Sequence, residues 1–225
     1  MTQQTLEPNQ LPNTDGWTPV TDTWTYASAT TITVPTGATS IYSIGDKFKL
    51  TANSVVLQGY IIGIADTLLT VVGDALTNHA FTNTYYSKAC TPLGFPQSFN
   101  YTPSGVSATN VTKTGRYRIV GRICKVEMSF SFTGAITFTT HPGLPVTASA
   151  NLLGNTLTHN VNICGHVACY DDGTAWRIMT MFPQIAPSGT VCTVIRVADI
   201  VELSATVPHT WANNDAMYIS ITYEI

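Results

Sequence analysis

The stretch Gly115–Gly134, GRYRIVGRICKVEMSFSFTG, decides the fold. From Lys125 onward its residues alternate. Val126, Met128, Phe130 and Phe132 point one way, and Lys125, Glu127, Ser129, Ser131 and Thr133 the other. A period of two marks a strand with one buried and one wet face. On a helix the same apolar residues would be scattered around the circumference. Glycines at both ends interrupt the pattern. The stretch Met217–Ile225 repeats it, with Met217, Ile219, Ile221 and Tyr223 on one face and Tyr218, Ser220, Thr222 and Glu224 on the other. Two such strands need a second sheet or a closed barrel over their apolar faces. The expected class is all-β.

Composition agrees. The chain has 225 residues and 44% hydrophobic content, enough for one large or two small β domains. Charged residues are 10%, against roughly 25% in an average soluble protein. Threonine dominates the polar positions, and it fits a pleated surface, while glycine and proline set turns. So few charges point to surface that is not free to water, as in an oligomer or a packed assembly. The formal net charge of −3 provides no basic footprint for nucleic acid and no polybasic signal for anionic lipid. The polar opening Met1–Gln10 carries Glu7 and does not read as a secretory leader, so synthesis in a cytoplasm is expected. No apolar run approaches the ~18 residues that a spanning helix requires. The five cysteines (Cys90, Cys124, Cys164, Cys169 and Cys192) are odd in number and read as free thiols rather than a disulfide framework.

Taken in order, residues 1–16 lack periodicity and read as an extended N-terminal arm. Residues 17–90 read as a small β-barrel or sandwich module, with strands around Trp24–Val34, Lys47–Thr51, Val55–Ile64, Leu68–Val72 and Tyr85–Ser87. Within it, Ala75–Phe81 is the one stretch expected to turn helical or 3₁₀. Cys90–Pro96, with Pro92, Gly94 and Pro96, reads as a connection, because proline has no ladder donor. Residues 91–225 are assigned to a larger, jelly-roll-like antiparallel β-sandwich. Here Ser98–Thr102 and Ile136–Phe138 read as short strands, Leu152–His159 as loop or edge. Val161–Tyr170 and Thr174–Phe182 should form a hairpin across Asp171-Asp172-Gly173.

Candidate chemistry is sparse. Cys164, His166 and Cys169 are the ligand-like cluster, but zinc needs ligands converging on one point about 2 Å away, and Cys169 falls on the opposite strand face. No metal or cofactor is expected. The adjacent carboxylates Asp171 and Asp172 are the pair that glycoside hydrolysis would need, yet they sit in a predicted turn. No G-x-S-x-G elbow, P-loop or H-E-x-x-H occurs, so no enzymatic activity is expected. The aromatic residues Tyr170, Trp176 and Trp211 lie in or near turns. Tyr170, Asp171, Asp172 and Trp176 form the expected receptor or glycan contact. Asn100-Tyr-Thr102 and Asn110-Val-Thr112 match the glycosylation pattern by chance.

The stretches Trp24–Pro35, Ile41–Leu50, Asp66–Val72 and Tyr85–Ser87 together resemble a small β module of bacteriophage tail and virion proteins. Phe99–Pro103, Gly115–Arg122, Leu144-Pro145 and Trp211–Glu224 look like the C-terminal β domains of phage fibre and receptor-binding proteins. The resemblance implies a virion protein: a homotrimeric tail fibre or tail-tip protein. Its arm and module would dock to other virion proteins, and its C-terminal domain would face a host-surface glycan or protein. The alternatives are a capsid decoration or head-fibre protein and an enzyme acting on envelope glycans. The fibres that hydrolyse capsules usually carry a long β-helix, for which this chain has no repeat.

Overall fold

In the computed structural model the described residues are 15–106, 109–136, 141–151, 162–173, 177–196 and 201–225. The chain divides after Gln97 into two units. Both are built from antiparallel β-sheet, as the alternation requires.

The first unit contains β1 (Thr18–Pro19), β2 (Thr25–Ser28), β3 (Thr31–Thr33), α1 (Ala38–Ile41), β4 (Lys47–Ala52), β5 (Val55–Ala65), β6 (Leu68–Gly73) and β7 (Phe81–Ser87). Its sheet runs in the order β1-β7-β4-β5-β6-β3-β2. The hairpin β4–β5 turns on Asn53 and Ser54 at φ 48° and 63°, the left-handed pair that a two-residue turn matched to strand twist needs. One face of the sheet buries Trp24, Ile32, Phe48, Leu50, Ile61 and Leu69 in a single core. The residues alternating with these build an aromatic layer on the other side. Trp17 is fully buried there, and its indole Nε1 donates to the Leu93 carbonyl at 2.8 Å. Its ring meets Phe95 at 6.0 Å, and Phe95 meets Tyr60 edge-on at 5.1 Å. The Lys49 ammonium sits 4.4 Å from the Trp17 ring and 4.7 Å from the Tyr85 ring. The proline-rich segment 91–97 therefore packs with the first unit, although its sequence reads as a connection.

The helical turn is not where the sequence suggested. Residues 75–80 carry no helix, because Leu76 gives its backbone N–H to Ala29 and is drawn into the core. The short helix is α1 instead. Asp66 starts it from a distance, its side chain accepting the Gly37 N–H at 2.8 Å and its carbonyl the Ala38 N–H at 3.2 Å.

The second unit contains β8 (Phe99–Tyr101), β9 (Val111–Val120), β10 (Ile123–Thr133), β11 (Asn162–Ile163), β12 (Gly165–Asp171), β13 (Arg177–Ile185), β14 (Thr193–Arg196), β15 (Val201–Glu202) and β16 (Asn213–Glu224). The path is β15-β14-β13-β12-β16-β10-β9-β8, with β11 paired to β13. The two strands read first from the sequence, β10 and β16, lie side by side at its middle, with Val126 opposite Ile221 and Met128 opposite Ile219. The expected hairpin is β12–β13, with Tyr170 opposite Ile178. Parts of Ile136–Phe138 and all of Leu152–His159 lie outside the described residues.

The sheet curls, and the segment 141–149 bridges from its β8 end to the residues leading into β14. Towards β8, Gly143 donates its N–H to Ser104 at 3.1 Å and accepts the Tyr101 hydroxyl at 3.4 Å. Towards β14, Leu144 donates to Thr190 at 2.9 Å, and Cys192 donates to Pro142 at 2.8 Å. The core inside holds Cys124, Val126, Met128, Phe130, Ile219 and Val194, all without solvent exposure. Tyr223 crosses this core to donate its hydroxyl to the Val146 carbonyl at 2.7 Å, so the bridging segment is also tied from within. Burial raises the Tyr101 and Tyr223 hydroxyls well above the ordinary tyrosine range.

Candidate functional site

The Asp171–Gly173 turn is held rather than open. The carboxylate of Asp171 accepts the Gly173 N–H at 2.9 Å, a local turn contact. Asp172 accepts the Tyr170 hydroxyl at 3.0 Å and the Asn214 side-chain amide at 3.1 Å. Beneath them lies Asp215, whose side chain has no solvent exposure. Its Oδ1 accepts the Asp172 N–H at 2.9 Å, and its Oδ2 accepts the Ala212 N–H at 2.7 Å. His209 Nε2 stands 3.2 Å from the same Oδ2. The His209 ring meets Trp211 at a tilt, 4.4 Å between centroids, and Trp211 meets Phe132 likewise at 4.5 Å.

This arrangement redefines the residues singled out in sequence. Tyr170, Asp171 and Asp172 are brought together, but as partners in a turn braced by Asp215. Trp176 lies outside the described residues. Trp211, a turn aromatic by sequence, is only 1% exposed and gives its indole N–H to Ser204 at 2.9 Å, so it is core and not a stacking surface. Asp171, His209 and Asp215 place ligand atoms within 4.8 Å of one another. Both oxygens of Asp215 already accept backbone N–H groups, so the cluster reads as a hydrogen-bonded brace.

Cys164, His166 and Cys169 do not face a common point. His166 is exposed on the outer face and Cys169 is buried on the inner one. Burial pushes the thiols of Cys164 and Cys169 up to about 12, far from the thiolate a metal requires.

Among the described residues an open feature lies elsewhere in the second unit, on the outer face of β8, β9, β10 and β16. Strand register aligns Asn100 with Arg116, Arg116 with Glu127, Glu127 with Ser220, and Ser220 with His166. The neighbouring row runs from Thr114 to Ser129 to Tyr218. Between the rows lies an open cavity of about 270 Å³ lined by Asn100, Thr114, Gly115, Arg116, Glu127, Met128, Ser129 and Tyr218. Gly115 faces inward beneath the cavity, where a Cβ would sit 2.4 Å from the Tyr101 ring, so the glycine makes room for that ring.

The Tyr218 ring is 39% exposed beside this cavity, and the His166 ring lies 6.4 Å away. The Glu127 carboxylate receives the Arg116 Nε at 2.5 Å and the Lys125 ammonium at 3.3 Å. Hydrogen bonding from Arg116 holds the Glu127 carboxyl below the usual range. The Nη groups of Arg116 make no hydrogen bond to a described residue, and the guanidinium is largely exposed.

Comparison with known protein families, curated proteins and solved structures finds no match to this chain.

The groove was missed in sequence although its parts were visible. Alternation placed Glu127, Ser129 and Tyr218 on outward faces, and an aromatic ring on a wet face was the available signal. Their juxtaposition depends on the register between β9, β10 and β16, which no local pattern encodes.

Proposed function

We propose that this chain is a structural and binding protein of a bacteriophage particle, a homotrimeric fibre or tail-tip protein whose second unit contacts the host surface. The observation that carries the binding role is the groove beside Tyr218. An exposed aromatic ring, an outward guanidinium and the side chains of Asn100, Thr114 and Ser129 surround one open cavity. Pockets of this kind, a stacking ring with polar groups that set orientation, suit a saccharide or a polar surface segment. The virion setting is supported by the resemblance of Trp24–Pro35, Gly115–Arg122 and Trp211–Glu224 to phage fibre modules, and by a charged content of only 10%. Engagement of Asp171 and Asp172 in turn contacts supports a binding role over glycan hydrolysis.

Cryo-electron microscopy of the intact particle tests the reading. Density at the tail tip with the second unit outermost is the expected result. Density on the capsid would replace host contact with shell decoration, and absence from every particle would overturn the virion role.

A further inference from the structure

The groove has a chemical bias beyond an affinity for polar ligands. Arg116, Arg118 and Lys125 share its face with the carboxylate of Glu127, since Arg118 stands opposite Lys125 in the ladder beside the Arg116–Glu127 pair, and Glu224, further along β16 on the same face, is paired with Arg122. Glu127 takes the Arg116 Nε from the side and so fixes the guanidinium in place. The two Nη groups remain to form a planar donor fork, the geometry that matches a carboxylate. Next to this fork the Tyr218 ring is open to solvent, two residues along its strand from Ser220, the partner of Glu127. Ser129 and Thr114 continue the row from Tyr218 and Asn100 flanks Arg116, so hydroxyl and amide groups line the groove on the β10 side of the ring.

Resting on the reading of the second unit as a host-surface binder, we propose that this groove binds a carboxylate-bearing saccharide, with a sugar ring on Tyr218 and its carboxylate in the Nη fork of Arg116. A neutral sugar would leave the fork unfilled. An extended peptide would find no free strand edge at Arg116, Glu127 or Tyr218, because each of these residues is paired on both sides. Glu127 acts as a positioning residue that sets the fork and repels a misplaced acid.

The test is a titration of the full chain with methyl glycosides of glucuronate, galacturonate and N-acetylneuraminate, against methyl glucoside and methyl galactoside. Amide chemical shifts near Tyr218 and calorimetry are the readouts. The expected result is that at least one acidic glycoside binds about ten- to a hundredfold more tightly than its neutral counterpart, the range of one charge-assisted contact. Added salt should narrow the gap. Arg116→Gln should remove it, Arg116→Lys should restore only part of it, and Tyr218→Phe should keep binding that Tyr218→Ala loses. Thermal melts of each variant control for folding. Equal binding of acidic and neutral sugars would overturn the acid assignment, and no shift near Tyr218 with any sugar would overturn the site. Neither result would alter the particle-location test, and a chain found on no particle that still binds sugar acids would remove the virion reading alone.

Discussion

The buried carboxylate of Asp215 accepts the backbone N–H of Asp172 at 2.9 Å, across 43 residues of chain. This contact joins the start of β16 to the turn after β12, and with the Ala212 and His209 contacts it leaves Asp215 fully coordinated by hydrogen bonds. Asp215→Ala strips acceptors from two backbone N–H groups and should destabilise the second unit by about 2–4 kcal/mol. Asp172→Ala removes exposed contacts and should cost less than about 1 kcal/mol. Urea unfolding of the two variants checks the difference, and equal losses would refute the central role of Asp215.

Trp17 should dominate the aromatic layer of the first unit. Trp17→Ala removes a fully buried ring together with its contacts to Phe95, Lys49 and the Leu93 carbonyl, at a cost of about 3–5 kcal/mol. Lys49→Met keeps the methylene stem and loses the ammonium over two rings, for about 1 kcal/mol. Calorimetric melting should show Trp17→Ala acting on the transition assigned to this unit.

Glu127 predicts a pH signature. Its folded-state carboxyl lies below the ordinary glutamate range, so its contribution is present above the unfolded value and is lost as pH falls through the folded value. Against Glu127→Gln, the native chain should be more stable at neutral pH, by a few tenths to about 1 kcal/mol for so accessible an ion pair. That gap should close in acid. A gap that stays constant from neutral pH to strongly acidic pH would show that the carboxylate charge is not what stabilises the row.

The cysteines should differ sharply in reactivity. Cys90 is exposed, Cys124, Cys169 and Cys192 are buried, and Cys164 is half-buried with its thiol on the Pro183 carbonyl. Burial pushes Cys124, Cys164 and Cys169 up to about 12, so little thiolate exists there at neutral pH. Brief treatment of the native chain with a thiol reagent should label Cys90 alone, and denatured chain should take label at all five. Mass mapping of the labelled peptides gives the answer directly.

Strand identity was legible because alternation is a local property: Val126 to Phe132 and Met217 to Tyr223 state their buried faces within a few residues. The Asp-Asp-Gly turn was legible for the same reason, since its residues form the turn's own hydrogen bonds. The helix was misplaced because α1 is started by Asp66, a residue 29 positions from Gly37. The burial of Trp211 was not legible, because a turn aromatic that points into a core and one that points out have the same local sequence.

By itself, then, the sequence determined an all-β chain, the buried and wet faces of its longest strands, and its free thiols, because each follows from periodicity or composition. Only the tertiary structure decided that segment 141–149 bridges from the β8 end of the second sheet to the residues leading into β14, that Asp215 braces the turn, and that Asn100, Arg116, Glu127, Ser129 and Tyr218 surround one groove. Those relationships depend on strand register and on contacts between residues far apart in the chain. Their free energy appears only once the core has set which side chains stand opposite each other.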